Sequence, residues 1–213
     1  MSHFNEGYPD RESGPDTADR DDRTFVWLDG DCGIVFSAPH NAEQFREGSM
    51  KQAEPGTGPI VIEMNRRFRC PGIYRVMNDM KDPNYDPTSE YREFLKRRIT
   101  ENGYRMLFDL HQMSPSREID ICIGTGHGKN IFGRRDIVEA VKDSFMKNGI
   151  TNITVDDPFS AAFRHTVSSS VARGCAVPSV QIEMNSWLFD SDEDVQRIYA
   201  SFSEIVSGLE GIE

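Results

Sequence analysis

The stretch Ser37-Ala38-Pro39-His40-Asn41-Ala42-Glu43 sets an imidazole and a carboxylate three positions apart, directly behind an apolar run. Both groups are ordinary zinc ligands, at metal distances of about 2.0–2.2 Å, and a three-residue offset on a strand-to-loop turn lets both reach one ion. A catalytic zinc takes three protein ligands and keeps a position open for water. Met106-Leu107-Phe108-Asp109-Leu110-His111 offers the third ligand, again a histidine at the end of an apolar run. His40, Glu43 and His111 are therefore the candidate ligands of one zinc ion per chain, and Asp109 or Asp120 could hold a ligating ring from outside.

The elements that must position them alternate along the chain. Gly33–Phe36 is β-branched and apolar and predicts a buried strand, which Pro39 ends. Phe25–Leu28 predicts another, joined to it by Asp29-Gly30 as a hairpin turn. Residues 44–57 are polar and read as a long connection. Ile60, Val61, Met64 and Phe68 share one helical face over residues 57–69, with Pro59 near the start where its missing N–H is tolerated. Strands are expected at 73–77, 106–111, 118–124, 150–155 and 179–184. Helices are expected at 88–102, 134–148 and 190–207, and a short helix or turn at 167–175. This rhythm predicts an α/β layered domain with a mixed central sheet and helices on both faces. In such sheets functional loops gather at the carboxyl ends of strands, where His40, His111, His127 and Glu183 fall. The loop Gly124-Thr125-Gly126-His127-Gly128 lacks the Lys-Ser/Thr ending of a phosphate-binding loop.

A length of 213 residues suits one well-packed domain over residues 24–213. Residues 1–23 are polar with little apolar periodicity and predict a flexible extension. The formal charge of −11 disfavours nonspecific binding to nucleic acid or anionic membranes. No apolar run is long enough to span a bilayer, and the start of the chain lacks the regions of a signal peptide, so the expected location is cytoplasmic. Four scattered cysteines without a CxxC pair are expected to be buried thiols.

Taken in order, the His40 stretch, Asp109-Leu110-His111, Glu118-Ile119-Asp120-Ile121, Asp157-Pro158-Phe159-Ser160 and Gln181-Ile182-Glu183-Met184-Asn185 resemble the N-formylglutamate amidohydrolase family. The resemblance runs from about residue 34 to about residue 185. It implies a three-layer α/β/α sandwich like that of the zinc carboxypeptidases, and metal-dependent hydrolysis of an amide on an amino-acid-like substrate. Carried over by position, it implies zinc on His40, Glu43 and His111, with Glu183 as general base. The chain departs from the family pattern at residues 78–84 and 112–117, both expected to face substrate.

In that chemistry the base takes a proton from water and passes it to the leaving amine, so the site needs a second carboxylate beside any ligand. Ile62-Glu63-Met64-Asn65 repeats the tetrapeptide around Glu183, but within a helical pattern, so the base is assigned to Glu183. A substrate carboxylate calls for a guanidinium fork, and Arg75 is the first candidate, with Arg117 and His165 behind it. The function read from the sequence is a zinc-dependent amidohydrolase acting on a small N-acyl or γ-glutamyl substrate. The competing readings are a peptidase or poly-γ-glutamate hydrolase, and a noncatalytic binding module on the same scaffold.

Overall fold

The computed structural model of the protein describes residues 24–209; the extension expected at residues 1–23 lies outside them. In chain order the elements are β1 (Phe25–Leu28), β2 (Ile34–Ala38), β3 (Gln44–Arg46), β4 (Ser49–Lys51), α1 (Thr57–Phe68), β5 (Gly72–Arg75) and α2 (Glu90–Asn102). Then come β6 (Met106–Met113), β7 (Ile121–Gly124), α3 (Arg135–Lys147), β8 (Ile153–Val155), α4 (Val167–Cys175), β9 (Ser179–Asn185), a 3-10 turn (Ser186–Phe189) and α5 (Asp192–Leu209).

Seven strands form one mixed sheet in the order β1-β5-β2-β6-β9-β7-β8. The central neighbours β5, β2, β6 and β9 run parallel, while β1 and β7 are antiparallel to β5 and β9. Successive side chains of a strand face opposite sides, and the core divides accordingly. Phe36, Phe108, Ile182 and Met184 pack with α1, α3 and α5 on one face, whereas Val35, Ile73 and Leu107 pack with α2 and α4 on the other. The chain is thus a three-layer α/β/α sandwich. Cys32, Cys70 and Cys122 are buried in it, and the Cys70 thiol meets the Cys32 sulfur at 3.1 Å. Among the described residues no helix is long and apolar enough to cross a membrane.

Two local expectations are corrected. Asp29-Gly30 does not make a hairpin, because β1 pairs with β5, which lies between β1 and β2. Gly30 serves a close approach instead: a Cβ there would lie 2.0 Å from the Arg69 carbonyl oxygen, which accepts from the Asp31 and Cys32 amides. The connection over residues 44–57 is also not featureless, since it contains the β3–β4 ribbon, paired apart from the main sheet.

Candidate metal centre

His40 leaves the carboxyl end of β2 on a loop that is tied down on both sides. Asn41 donates through Nδ2 to the Arg75 carbonyl at 2.8 Å and accepts from the Gly58 amide at 3.0 Å, which fixes the loop between β5 and the start of α1. Glu54 stands just ahead of α1, where its carbonyl accepts from the Thr57 hydroxyl at 2.7 Å and its amide donates to the His40 carbonyl at 2.8 Å. His111 lies near the end of β6, on the opposite side of that strand from core residues Phe108 and Leu110.

These anchors bring three side chains onto one point. Glu54 Oε1 is 2.9 Å from His40 Nδ1, and Glu54 Oε2 is 3.1 Å from His111 Nδ1. The ligand atoms of the three residues all lie within 4.8 Å of one another. The far ring nitrogens are held as well. His40 Nε2 is 2.9 Å from Asp82 Oδ1, and His111 Nε2 is 2.9 Å from Asn84 Nδ2 and 3.4 Å from Asp109 Oδ2. Two imidazoles and one carboxylate, each ring oriented from behind by a polar partner, form a cluster that could hold a metal ion. The residues present fit a zinc ion.

The electrostatics follow from burial and mutual charge. Burial opposes charge on His40, but Glu54 and Asp82 outweigh it and raise its pKa to about 9. His111 is likewise disfavoured by burial yet lifted well above the ordinary histidine value by Glu54 and Asp109. Burial would raise Glu54, and the two imidazoles instead hold it well below the usual carboxylate range. Glu183 behaves differently. Burial, reinforced by Glu54 and Asp109 against the counteracting histidines, pushes it up to about 7.

Glu183 sits on β9 opposite His111 of β6 in the sheet register. Its neighbours Ile182 and Met184 face the α1/α3/α5 layer, so alternation turns Glu183 to the other side, the face on which α2 and α4 pack. There it lines a cavity of about 660 Å³ together with His40, Glu54 and His111. Gln181 Nε2 donates to Glu183 Oε1 at 2.9 Å and fixes the carboxylate plane.

The other predicted residues scatter. Glu43 stands outside the cluster: it is exposed, and the next residue, Gln44, is the one that turns inward onto the cavity. Arg75 is buried and holds its own loop, donating to the Met77 carbonyl at 3.1 Å and to Asp79 Oδ1 at 2.6 Å, so it does not face the cavity. Arg117 is exposed at the rim, its guanidinium 5.0 Å over the Phe159 ring. His165 does line the cavity, stacked on Phe163. Glu63 is on α1, paired with Arg66 and Arg67. Sequence reasoning missed Glu54, Asp82 and Asn84. The signal for Glu54 was its place beside Pro55-Gly56 at the start of a helix; the departure at residues 78–84 held the other two.

No protein-family model and no curated protein matches this sequence. Solved structures do match. A bacteriophage poly-gamma-glutamate hydrolase superposes with a TM-score of 0.58 at 12% identity, covering 92% of this chain and 94% of that one. N-formylglutamate amidohydrolase from Ralstonia eutropha JMP134 gives 0.57 at 12% identity, covering 88% and 97%. A metallo-carboxypeptidase from Pseudomonas aeruginosa gives 0.53 at 12% identity, covering 87% of this chain and 59% of that one. The fold is that of the zinc-carboxypeptidase-like hydrolases. The resemblance carried by the sequence motifs is supported at the level of fold, and identities this low speak to nothing finer.

Proposed function

We propose that the chain is a zinc-dependent amidohydrolase that cleaves an N-acyl or γ-glutamyl amide on a carboxylate-bearing substrate, with the ion held by His40, Glu54 and His111. The observation that carries this reading is the Glu54 carboxylate set between the Nδ1 atoms of two histidines, on the wall of a cavity that also holds a buried, separate carboxylate. A zinc ion there would lower the pKa of a coordinated water towards about 7 and polarise the scissile carbonyl. Glu183 takes the proton of the attacking water and returns it to the leaving amine, a task suited to a carboxyl whose pKa stands at about 7. Asp82, Asn84 and Asp109 keep the two imidazoles turned inward, and Gln181 keeps Glu183 from rotating away. Glu54, held ionised, neutralises the two rings and takes no part in proton transfer.

To offer Nδ1 as ligands, His40 and His111 must give up protons that Glu54, Asp82 and Asp109 help to hold. Zinc affinity is therefore expected to rise with pH from the ordinary imidazole value of 6.5 up to about 9, the His40 pKa, and zinc addition at neutral pH should release protons. Calorimetry in buffers of different ionisation enthalpy reads both. An affinity independent of pH across that range would contradict the ligand assignment.

The activity itself is tested on zinc-loaded and chelator-treated protein with N-formylglutamate, longer N-acylglutamates and γ-glutamyl peptides. Hydrolysis of at least one class by the loaded form, lost on chelation and regained with zinc, is the expected result. A loaded protein that binds these amides and cleaves none would favour the noncatalytic module.

A further inference from the structure

Among the described residues, the cavity beside the two histidines is lined by the acids Glu47, Glu54 and Glu183 and by one side chain of the lysine or arginine type, Arg46 of β3. Arg46 is not locked into the core: its side chain is 37% exposed, and its ion pair with Asp82 Oδ2 spans 3.7 Å from Nη1, beyond hydrogen-bond range. Asp82 Oδ2 is itself buried without a hydrogen-bond partner. The guanidinium lies 5.6 Å over the Tyr85 ring, and Tyr85 meets His165 edge-on at 5.8 Å. A guanidinium carries five N–H donors in a planar fork. Cation–π contact and a loose ion pair orient that fork and leave donors for a ligand.

Arg46 stands at the tip of the β3–β4 ribbon, paired with Ser49 across the turn at residues 47–48. Its ribbon lies between His40 and Glu54, and the Glu54 amide closes the base of the segment on the His40 carbonyl. The ribbon thus carries Arg46 over the cavity, and the contacts with Tyr85 and Asp82 orient its guanidinium there. Arg75 is buried in its own loop and Arg117 lies on Phe159 at the rim, so neither offers such a fork to the cavity.

We infer that Arg46 is the specificity-determining residue of this site, pairing in a bidentate fork with a carboxylate that the substrate carries beside its scissile amide. The inference rests on the hydrolase reading and names the residue that would select its anionic substrates. In a chain of net charge −11 it supplies an arginine fork on a cavity wall that also carries Glu47, Glu54 and Glu183. Lysine would keep the charge and lose the fork.

The test is equilibrium binding of N-acetyl-L-glutamate and of its uncharged diamide to zinc-loaded protein, taking Glu183→Gln as the parent so that the ligand is not cleaved and adding to it Arg46→Gln, Arg46→Lys or, as a surface charge control, Arg66→Gln, with zinc content measured on each. The parent and Arg66→Gln are expected to prefer the acid by about 10–100-fold, the scale of one charge-assisted fork. Arg46→Gln should lose that preference with zinc retained, and Arg46→Lys should recover part of it. A parent without preference, or an Arg46→Gln protein that keeps it, overturns the assignment. So does an Arg46→Gln protein that loses its zinc together with its binding, since Arg46 would then act only through Asp82 and His40. Because binding is read without turnover, acid binding through Arg46 together with no amide cleavage by zinc-loaded protein that retains Glu183 would refute the hydrolase reading and leave Arg46 standing.

Discussion

Glu183→Gln is expected to keep its zinc and to lose hydrolysis by about 10²–10⁴-fold in kcat/KM, the usual worth of a positioned general base. The amide has nearly the size of the carboxylate and would still face Gln181 across the 2.9 Å contact, so the cavity wall should hold its shape. What disappears is the only function that needs a titrating group there. Burial lifts Glu183 to about 7, which makes it able to take and return a proton near neutrality, whereas the same burial leaves Glu54 ionised because two imidazoles face it. The two carboxylates of the cavity thus divide their roles by neighbourhood. Steady-state kinetics on the best substrate, with zinc measured on the same samples, reads both halves. Turnover at the parental rate would remove Glu183 from the mechanism.

Glu54→Gln is expected to weaken zinc binding by more than the roughly 10–100-fold that loss of an outer partner of a ligating histidine costs. Glu43→Gln should leave it unchanged. The contrast is sharp because both acids follow His40 in the sequence, and only Glu54 reaches its ring. In the variant His40 and His111 also lose the charge that Oε1 and Oε2 present at 2.9 and 3.1 Å, so the protons on the two rings would be held less tightly as the ligand is lost. Competition titration against a chromophoric zinc chelator ranks parent, Glu54→Gln and Glu43→Gln. A loss confined to Glu43→Gln would return the third ligand to the spacing read from the sequence and refute the centre described above.

The gap between Glu43 and Glu54 shows what was legible in the sequence. Strand and helix rhythm located the elements of the sandwich, since apolar runs such as those at residues 34–36 and 106–108 mark strands buried on both faces and Ile60, Val61 and Met64 keep a helical stripe. Two histidines at strand ends were legible for the same reason, because strand ends carry their side chains to the mouth of the sheet. The third ligand was not. The β3–β4 ribbon is inserted between His40 and Glu54, and no local spacing shows that a segment of that length folds back so that the Glu54 amide meets the His40 carbonyl.

Arg75 was misplaced for a related reason. A strand-end arginine looks the same whether it faces a ligand or ties down the loop that follows, and here it ties the loop at Met77 and Asp79. That loop supplies Asp82 and Asn84 to the histidines, so residues 78–84 support the rings, and Asn84 also lines the cavity. The pairing of β1 with β5 was hidden too. Asp29-Gly30 has the composition of a hairpin turn, and only the long-range approach of Arg69 shows why the glycine is there.

The central claim is that His40, Glu54 and His111 hold one metal ion, and diffraction from zinc-loaded crystals at wavelengths either side of the zinc absorption edge tests it most directly. The account predicts one anomalous peak between the three side chains, at about 2.0–2.2 Å from an imidazole nitrogen of each histidine and from the Glu54 carboxylate. A peak bound by Glu43 in place of Glu54, or none at the two histidines in protein that carries zinc, would contradict it.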